Sequence, residues 1–160
     1  MIRFAKLTDY GLVLMTLMAR DSAAGVHTAR DLASVSRLPL PTVSKLLKQL
    51  LQSGLLVSHR GIKGGYGLAK DAAEISVAEI VTAIEGPIAL TECSTDVTGM
   101  CDLERSCPIK ANQRVISQVM RGALEKVALS ELARPMQLIA IRDAQGKLVP
   151  SIVPSSGRVQ

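Results

Sequence analysis

Aromatic side chains are almost missing from this chain: there is no Trp, one Phe and two Tyr among 160 residues. That scarcity argues against the stacking platforms on which single-stranded nucleic acids are bound. It also leaves any core to Leu, Val, Ile, Ala and Met, a composition that leans helical. Long apolar runs are missing too. The opening MIRFAKLTDYGLVLMTLMAR is interrupted by Thr8, Asp9, Gly11 and Thr16, and no small-residue cleavage site follows. Neither a membrane span nor a signal peptide is expected, and the protein is read as cytoplasmic. Catalytic signatures are equally scarce: no nucleophile elbow, no phosphate-binding strand–glycine loop–helix and no carboxylate pair in a cleft motif. The expectation is a protein that is not an enzyme and takes no small-molecule substrate.

Cysteine is scarce and confined. The only three thiols, Cys93, Cys101 and Cys107, lie in one polar stretch, ECSTDVTGMCDLERSC. Disulfides are rare in the cytoplasm, and an odd number of thiols cannot pair off within one chain, so metal, cluster or redox chemistry is the better reading. The spacing contains no CxxC pair, which speaks against a zinc ribbon or a thioredoxin-like site. Three loosely spaced thiolates leave a cluster, zinc and free redox-active thiols open, and a cluster normally takes four ligands. The acids of the stretch, Asp96, Asp102 and Glu104, are candidate donors, though acids in a polar loop are usually solvated. Both histidines, His27 and His59, fall elsewhere and read as surface polar residues.

Positive charge is present, and its position is informative. The net charge is +5, and residues 28–70 alone carry seven basic residues against the single acid Asp31, so the rest of the chain sums to −1. One contiguous segment supplies the whole excess, as expected of a surface that meets phosphate.

That segment has a definite plan. A first helix is expected over Thr8–Arg20, and a short one over Thr28–Ser36, with Thr28 and Asp31 spaced as a cap. After RLPLP, a helix opening at Pro41 places Val43, Leu46, Leu47, Leu50 and Leu51 on one stripe. Its opposite face carries Ser44, Lys45, Lys48 and Gln52, and Gly54 ends it. LLVSHR and GYGLAK then flank a glycine-rich turn, predicting a hairpin tipped by Arg60 and Lys63. A further helix starts at Ser76 with Glu79 as its capping partner and stops at Gly86-Pro87.

Helix, turn, helix and hairpin in this order predict a winged helix-turn-helix that binds double-stranded DNA. The outward face of the second helix, with Thr42, Ser44, Lys45 and Lys48, would supply the readers. Ser44 and Lys45 are placed to reach base edges, and Lys48 to meet phosphate. Arg60 suits a narrow minor groove, with Lys63 beside it at the wing tip. The fold class expected is mainly α with a small β-hairpin, plus a long C-terminal dimerisation helix.

That helix is expected to run from Pro108 to about Leu129. Its two apolar rows, Val115/Val119/Ala123/Val127 and Ile116/Met120/Leu124/Ala128, ask for a partner surface, and a homodimer supplies one. The domain plan is therefore residues 1–86 for the DNA-binding unit, 87–108 for the cysteine loop, 109–134 for the dimerisation helix and 135–160 for a flexible tail.

KLTDYGLVLMTLMA, LPLPTVSKLLKQLLQSGLLVSHRGIKGGYGLAK and the cysteine triplet together resemble the Rrf2 family of bacterial winged-helix regulators over about residues 1–133. EGPIALTEC and ERSCPIKANQRV look most like its branch of regulators of SUF iron–sulfur cluster assembly. The resemblance implies a homodimer with one iron–sulfur cluster per subunit, 2Fe–2S or 4Fe–4S, held by Cys93, Cys101 and Cys107. A carboxylate from the partner's first helix serves as fourth ligand in some relatives, and the matching residue is Asp9. Others place a histidine where this chain has Lys110, a poor ligand while protonated. The function implied is cluster-dependent control of transcription, with repression of SUF assembly genes. The alternatives are a nitric-oxide- or thiol-redox-sensing repressor of the same fold and, from another class, an electron carrier or cluster scaffold.

Overall fold

The computed structural model describes residues 3–21, 25–61, 64–91, 94, 101, 106–134, 136–142 and 148–154. Helices α1 (Lys6–Arg20), α2 (Ala29–Ser36) and α3 (Leu40–Gln52) precede a hairpin of β1 (Leu56–His59) and β2 (Gly65–Leu68). Helices α4 (Val77–Glu85), α5 (Lys110–Glu125) and α6 (Leu129–Ala133) follow, and a second hairpin, β3 (Met136–Arg142) and β4 (Leu148–Pro154), ends the described chain.

The stripe on α3 is where the core begins. Val43, Leu46, Leu47 and Leu50 are all completely buried, while Ser44, Lys45, Lys48 and Gln52 on the same helix are exposed. They meet Leu14, Met15 and Met18 of α1, Ile80 of α4 and Leu129 of α6 in one aliphatic cluster. The lone Phe4 stays outside it, 41% exposed. Because this core is close-packed, truncating Leu47 to Ala is expected to cost about 2–5 kcal/mol, partly for the cavity left behind. A urea titration should read this as a lower midpoint with an unchanged slope.

Local chemistry sets the helix starts. Thr28 accepts a hydrogen bond from the Asp31 amide at 3.1 Å, as its spacing predicts. Ser76 and Glu79 form a reciprocal capping box on α4. Lys70 adds an ion pair to Glu79 at 2.7 Å. Burial pushes the Glu79 carboxyl up, but the hydrogen bonds from Lys70 and Ser76 outweigh it and hold the group below its ordinary range. Helix α1 begins two residues earlier than expected and has no cap of its own. The Glu85 carboxylate, at the far end of α4, accepts a hydrogen bond from the Ala5 amide at 2.8 Å and another from the buried Thr8 hydroxyl. A cap supplied from eighty residues away leaves no local pattern in the sequence.

The turn between α2 and α3 is closed by Arg37, a non-glycine residue in the left-handed region at φ 57°. Pro41 lies in the first turn of α3, where its missing N–H costs nothing. In the wing, Leu56 pairs with Leu68 and His59 with Gly65. The His27 and Tyr66 backbones exchange two hydrogen bonds of 2.8 Å, so the segment before α2 lies against the wing. Gly65 permits this approach, since a Cβ there would stand 2.5 Å from the His27 carbonyl oxygen.

The C-terminal third differs from the expectation. The long helix does not continue to Leu129: α5 stops at Glu125, and α6 starts at Leu129. Between them the chain turns at Lys126 and then passes beside the start of α4, with Ala128 extended opposite Ser76. The Val77 amide donates to Val127 at 2.9 Å, and the Leu129 amide to Ile75 at 2.7 Å. Those hydrogen bonds, and the complete burial of Leu129, outweigh the helical periodicity of residues 126–128. Where a flexible tail is expected over 135–160, residues Met136–Arg142 and Leu148–Pro154 form an antiparallel pair with Ile139 opposite Ser151. The Leu, Ile and Val residues of LIAI and LVPSIV suit such a pairing.

Candidate nucleic-acid interface and cysteine loop

Two elements, α3 and the wing, carry the candidate DNA-contacting groups. On α3, Ser44, Lys45 and Lys48 are exposed, and Thr42 is half-buried. Arg60 is exposed just past the end of β1, while Lys63 lies outside the described residues. Neither Lys45, Lys48 nor Arg60 meets a carboxylate among the described residues. Their charges are therefore available to an anion. Lys70 is different: its ion pair with Glu79 commits it to the fold, which the charge count alone could not reveal.

Apolar groups at the same place were not anticipated. Val35 at the end of α2 is 67% exposed, and Leu40 at the start of α3 and Val57 on β1 are each 40% exposed. They lie on α3 and on two elements that pack against it, and apolar side chains in a major groove meet thymine methyl groups. The available signal was that Val35 falls off the Ala29/Leu32/Ala33 face of its helix.

Cys101 and Cys107 are free thiols and half-buried, and Cys93 lies outside the described residues. Among the described residues, no group of three His, Cys, Asp or Glu side chains is close enough to hold a metal ion. The acids Asp96, Asp102 and Glu104 lie outside the described residues as well. Asp9 is exposed in the first turn of α1, next to the Thr8 that Glu85 holds. Lys110 opens α5 and donates its amide to the Cys107 carbonyl at 3.4 Å.

The root of the cysteine loop is anchored on α5 by groups that the sequence did not single out. Ser117 is the buried residue of α5. Its Oγ accepts a hydrogen bond from the Leu90 amide at 2.9 Å and lies 3.0 Å from Ser94 Oγ. Ser117 and Ser94 also line a cleft of about 310 Å³ with Pro87, Arg114 and Arg121. The opposite side of the helix is apolar and open: Val115 is 57%, Ile116 45% and Val119 67% exposed. No described helix is long and apolar enough to cross a membrane.

A helix-turn-helix with a hairpin wing and exposed cations on both defines a winged-helix DNA-binding protein. Residues 4–135 match the pattern of the Rrf2 family, described as an iron-dependent transcriptional regulator. The chain belongs to that family of DNA-binding transcriptional regulators and is not an enzyme. It is 30% identical to the HTH-type transcriptional regulator IscR of Salmonella paratyphi B, over 99% of this chain and 94% of the relative. It is 29% identical to IscR of Cronobacter sakazakii, over 90% of this chain and 88% of that one. Among solved structures, CymR, the global cysteine regulator of B. subtilis, superposes with a TM-score of 0.65 at 26% identity, covering 83% of this chain and 97% of the other. IscR of T. potens superposes at 0.62 with 22% identity, covering 81% and 84%.

Proposed function

We propose that this chain is a cytoplasmic, homodimeric regulator whose grip on promoter DNA depends on an iron–sulfur cluster, and that it represses SUF assembly genes when cluster supply is adequate. The observation that carries this reading is a physical continuity. The loop bearing Cys101 and Cys107 leads into α5, a helix with an exposed apolar face, in a chain whose reading helix and wing hold exposed cations. The family match and the IscR relatives support it.

In this reading, residues 1–86 bind DNA, 87–108 hold the cluster and 109–134 pair the subunits. The donor set fits the group, since free, half-buried thiols become soft thiolate ligands for iron. Cys93, Cys101 and Cys107 would hold one cluster per subunit, with Asp9 of the opposite subunit closing the set. When bound, the cluster supplies a redox- and supply-sensitive bond between the loop and the partner's α1. The chain's own part is mechanical. Ordering the loop fixes its attachment to α5, and α5 sets the spacing of two reading helices across the twofold axis. A differential affinity of about 1.4 kcal/mol between the two states already shifts occupancy about tenfold.

On the DNA side, Ser44 and Lys45 read base edges, Lys48 and Lys63 meet phosphate, Arg60 enters the minor groove and Thr42 steadies the helix at its entry. Operator titrations over a range of salt test these roles. Lys48→Ala should weaken binding evenly across sequences and lower the salt slope by about 1, whereas Lys45→Ala should relax specificity, with about 1–3 kcal/mol at stake. Binding that is independent of salt would remove the DNA assignment. Unchanged suf transcripts in a deletion strain would remove the choice of target.

A second reading keeps the regulator and drops the cluster, with Cys93, Cys101 and Cys107 acting as redox-sensing thiols. Its support is the likeness to CymR, including a Staphylococcus aureus structure of the oxidized form at 26% identity. Anaerobic purification separates the two: iron with acid-labile sulfide favours the cluster, and colourless protein with titratable thiols favours the thiol switch.

A further inference from the structure

The buried residue of α5 is a serine, and its hydroxyl has more partners than it can satisfy at once. Ser117 is 4% exposed. Its Oγ accepts from the Leu90 amide at 2.9 Å, and two acceptors compete for its one proton: Ser94 Oγ at 3.0 Å and the Gln113 carbonyl at 2.9 Å. Ser94, directly after Cys93 in the sequence, closes a small turn. Its Oγ donates to the Thr91 carbonyl at 2.7 Å and accepts from the Thr91 amide at 3.1 Å, while its own amide donates to the same carbonyl at 3.0 Å.

A hydroxyl carries one proton and two lone pairs. With the 91–94 turn formed, the Ser94 proton is committed to the Thr91 carbonyl and one Ser94 lone pair to the Thr91 amide. The other lone pair can accept from Ser117 at 3.0 Å, in competition with the Thr91 hydroxyl at 3.2 Å. With that turn undone, Ser117 has only the carbonyl four residues back on its own helix. Such back-bonding to i−4 weakens and bends a helix. The helix in question carries Val115, Ile116 and Val119 on its open face. At 4% exposure the hydroxyl has little access to water, so which protein acceptor it uses is consequential.

We propose that Ser117 is a positioning residue that couples the cysteine loop to the pairing helix. Its hydroxyl bonds to Ser94 when the Thr91–Ser94 hydrogen bonds are made and to Gln113 when they are not, and the bend of α5 follows. The inference rests on reading residues 87–108 as the ligand loop. It deepens that reading by naming the residue through which the root of the loop reaches α5.

The test uses full-length protein, wild type beside Ser117→Ala, Ser117→Thr and Ser94→Ala. Each is measured for operator affinity with and without reconstituted cluster, and for amide exchange at Leu90. Ser117→Ala removes the acceptor of the Leu90 amide, so exchange there should quicken about tenfold. The cluster-bound to cluster-free affinity ratio should fall toward 1. Ser94→Ala leaves the Leu90 bond in place but removes the competing acceptor, so it should lower the ratio with Leu90 exchange near wild type. Ser117→Thr keeps the hydroxyl and should restore both readouts. If Ser117→Ala and Ser94→Ala keep the wild-type ratio, Ser117 only satisfies a buried amide and the coupling is wrong. A wild-type protein that takes up no iron or sulfide removes the cluster reading, and this inference with it. A wild-type ratio well above 1 that both variants preserve removes the inference alone.

Discussion

Serine in place of Cys107 is expected to yield colourless protein with iron and acid-labile sulfide at background, whose operator affinity is fixed at the cluster-free value. The change is isosteric, but a hydroxyl at neutral pH is a poor ligand where a thiolate is a strong one. Because Cys107 is half-buried and outside the core cluster, the thermal unfolding transition should stay close to wild type. Loss of the cluster would then change promoter occupancy about tenfold or more under conditions where wild type is loaded. Visible absorption, iron and sulfide analysis and anisotropy titrations on an operator fragment measure the three parts separately. A brown Cys107→Ser protein with normal DNA binding would show that the third thiol is not a ligand.

The other large effect concerns pairing. Val119→Glu should convert a dimer into monomers and reduce operator affinity about a hundredfold, since two half-sites would no longer be bound by one particle. Judged from the single chain, Val119 is 67% exposed, and a surface substitution normally changes stability by less than about 0.5 kcal/mol. Across a twofold contact the same change buries two like charges, which costs several kcal/mol. Val35→Glu is the control, because Val35 is equally exposed but lies on α2. It should leave the sedimentation coefficient unchanged. A dimeric Val119→Glu protein would mean that α5 pairs through another face.

The DNA-binding half was legible in the sequence because its signals are local. The α3 stripe repeats within one helix, Thr28 and Ser76 cap residues three positions on, and the wing announces itself by glycines between two short strands. What could not be read depends on residues brought together from afar. Glu85 caps a helix at the other end of the unit, Lys70 is drawn into an ion pair, and residues 127–129 leave a helical pattern to bond with 75–77. Ser117 was invisible for a related reason. A polar residue within an apolar helix reads as its solvent side, and only the position of Leu90 and Ser94 reveals that this side faces inward. The cysteines were conspicuous as a trio, yet their spacing left metal, cluster and thiol chemistry open.

The cysteine segment is gripped at both ends: before it, Glu85 at the end of α4 holds the start of α1, and after it α5 begins at Lys110. A loop whose ends are fixed in advance loses less chain entropy on closing around a ligand than a free one. Ease of closure does not choose among thiophilic ions, and copper outcompetes ferrous iron at most sulfur and nitrogen donors. Fidelity would therefore come from which metal the cell keeps free, and copper stress should mis-set this regulator before it unfolds it.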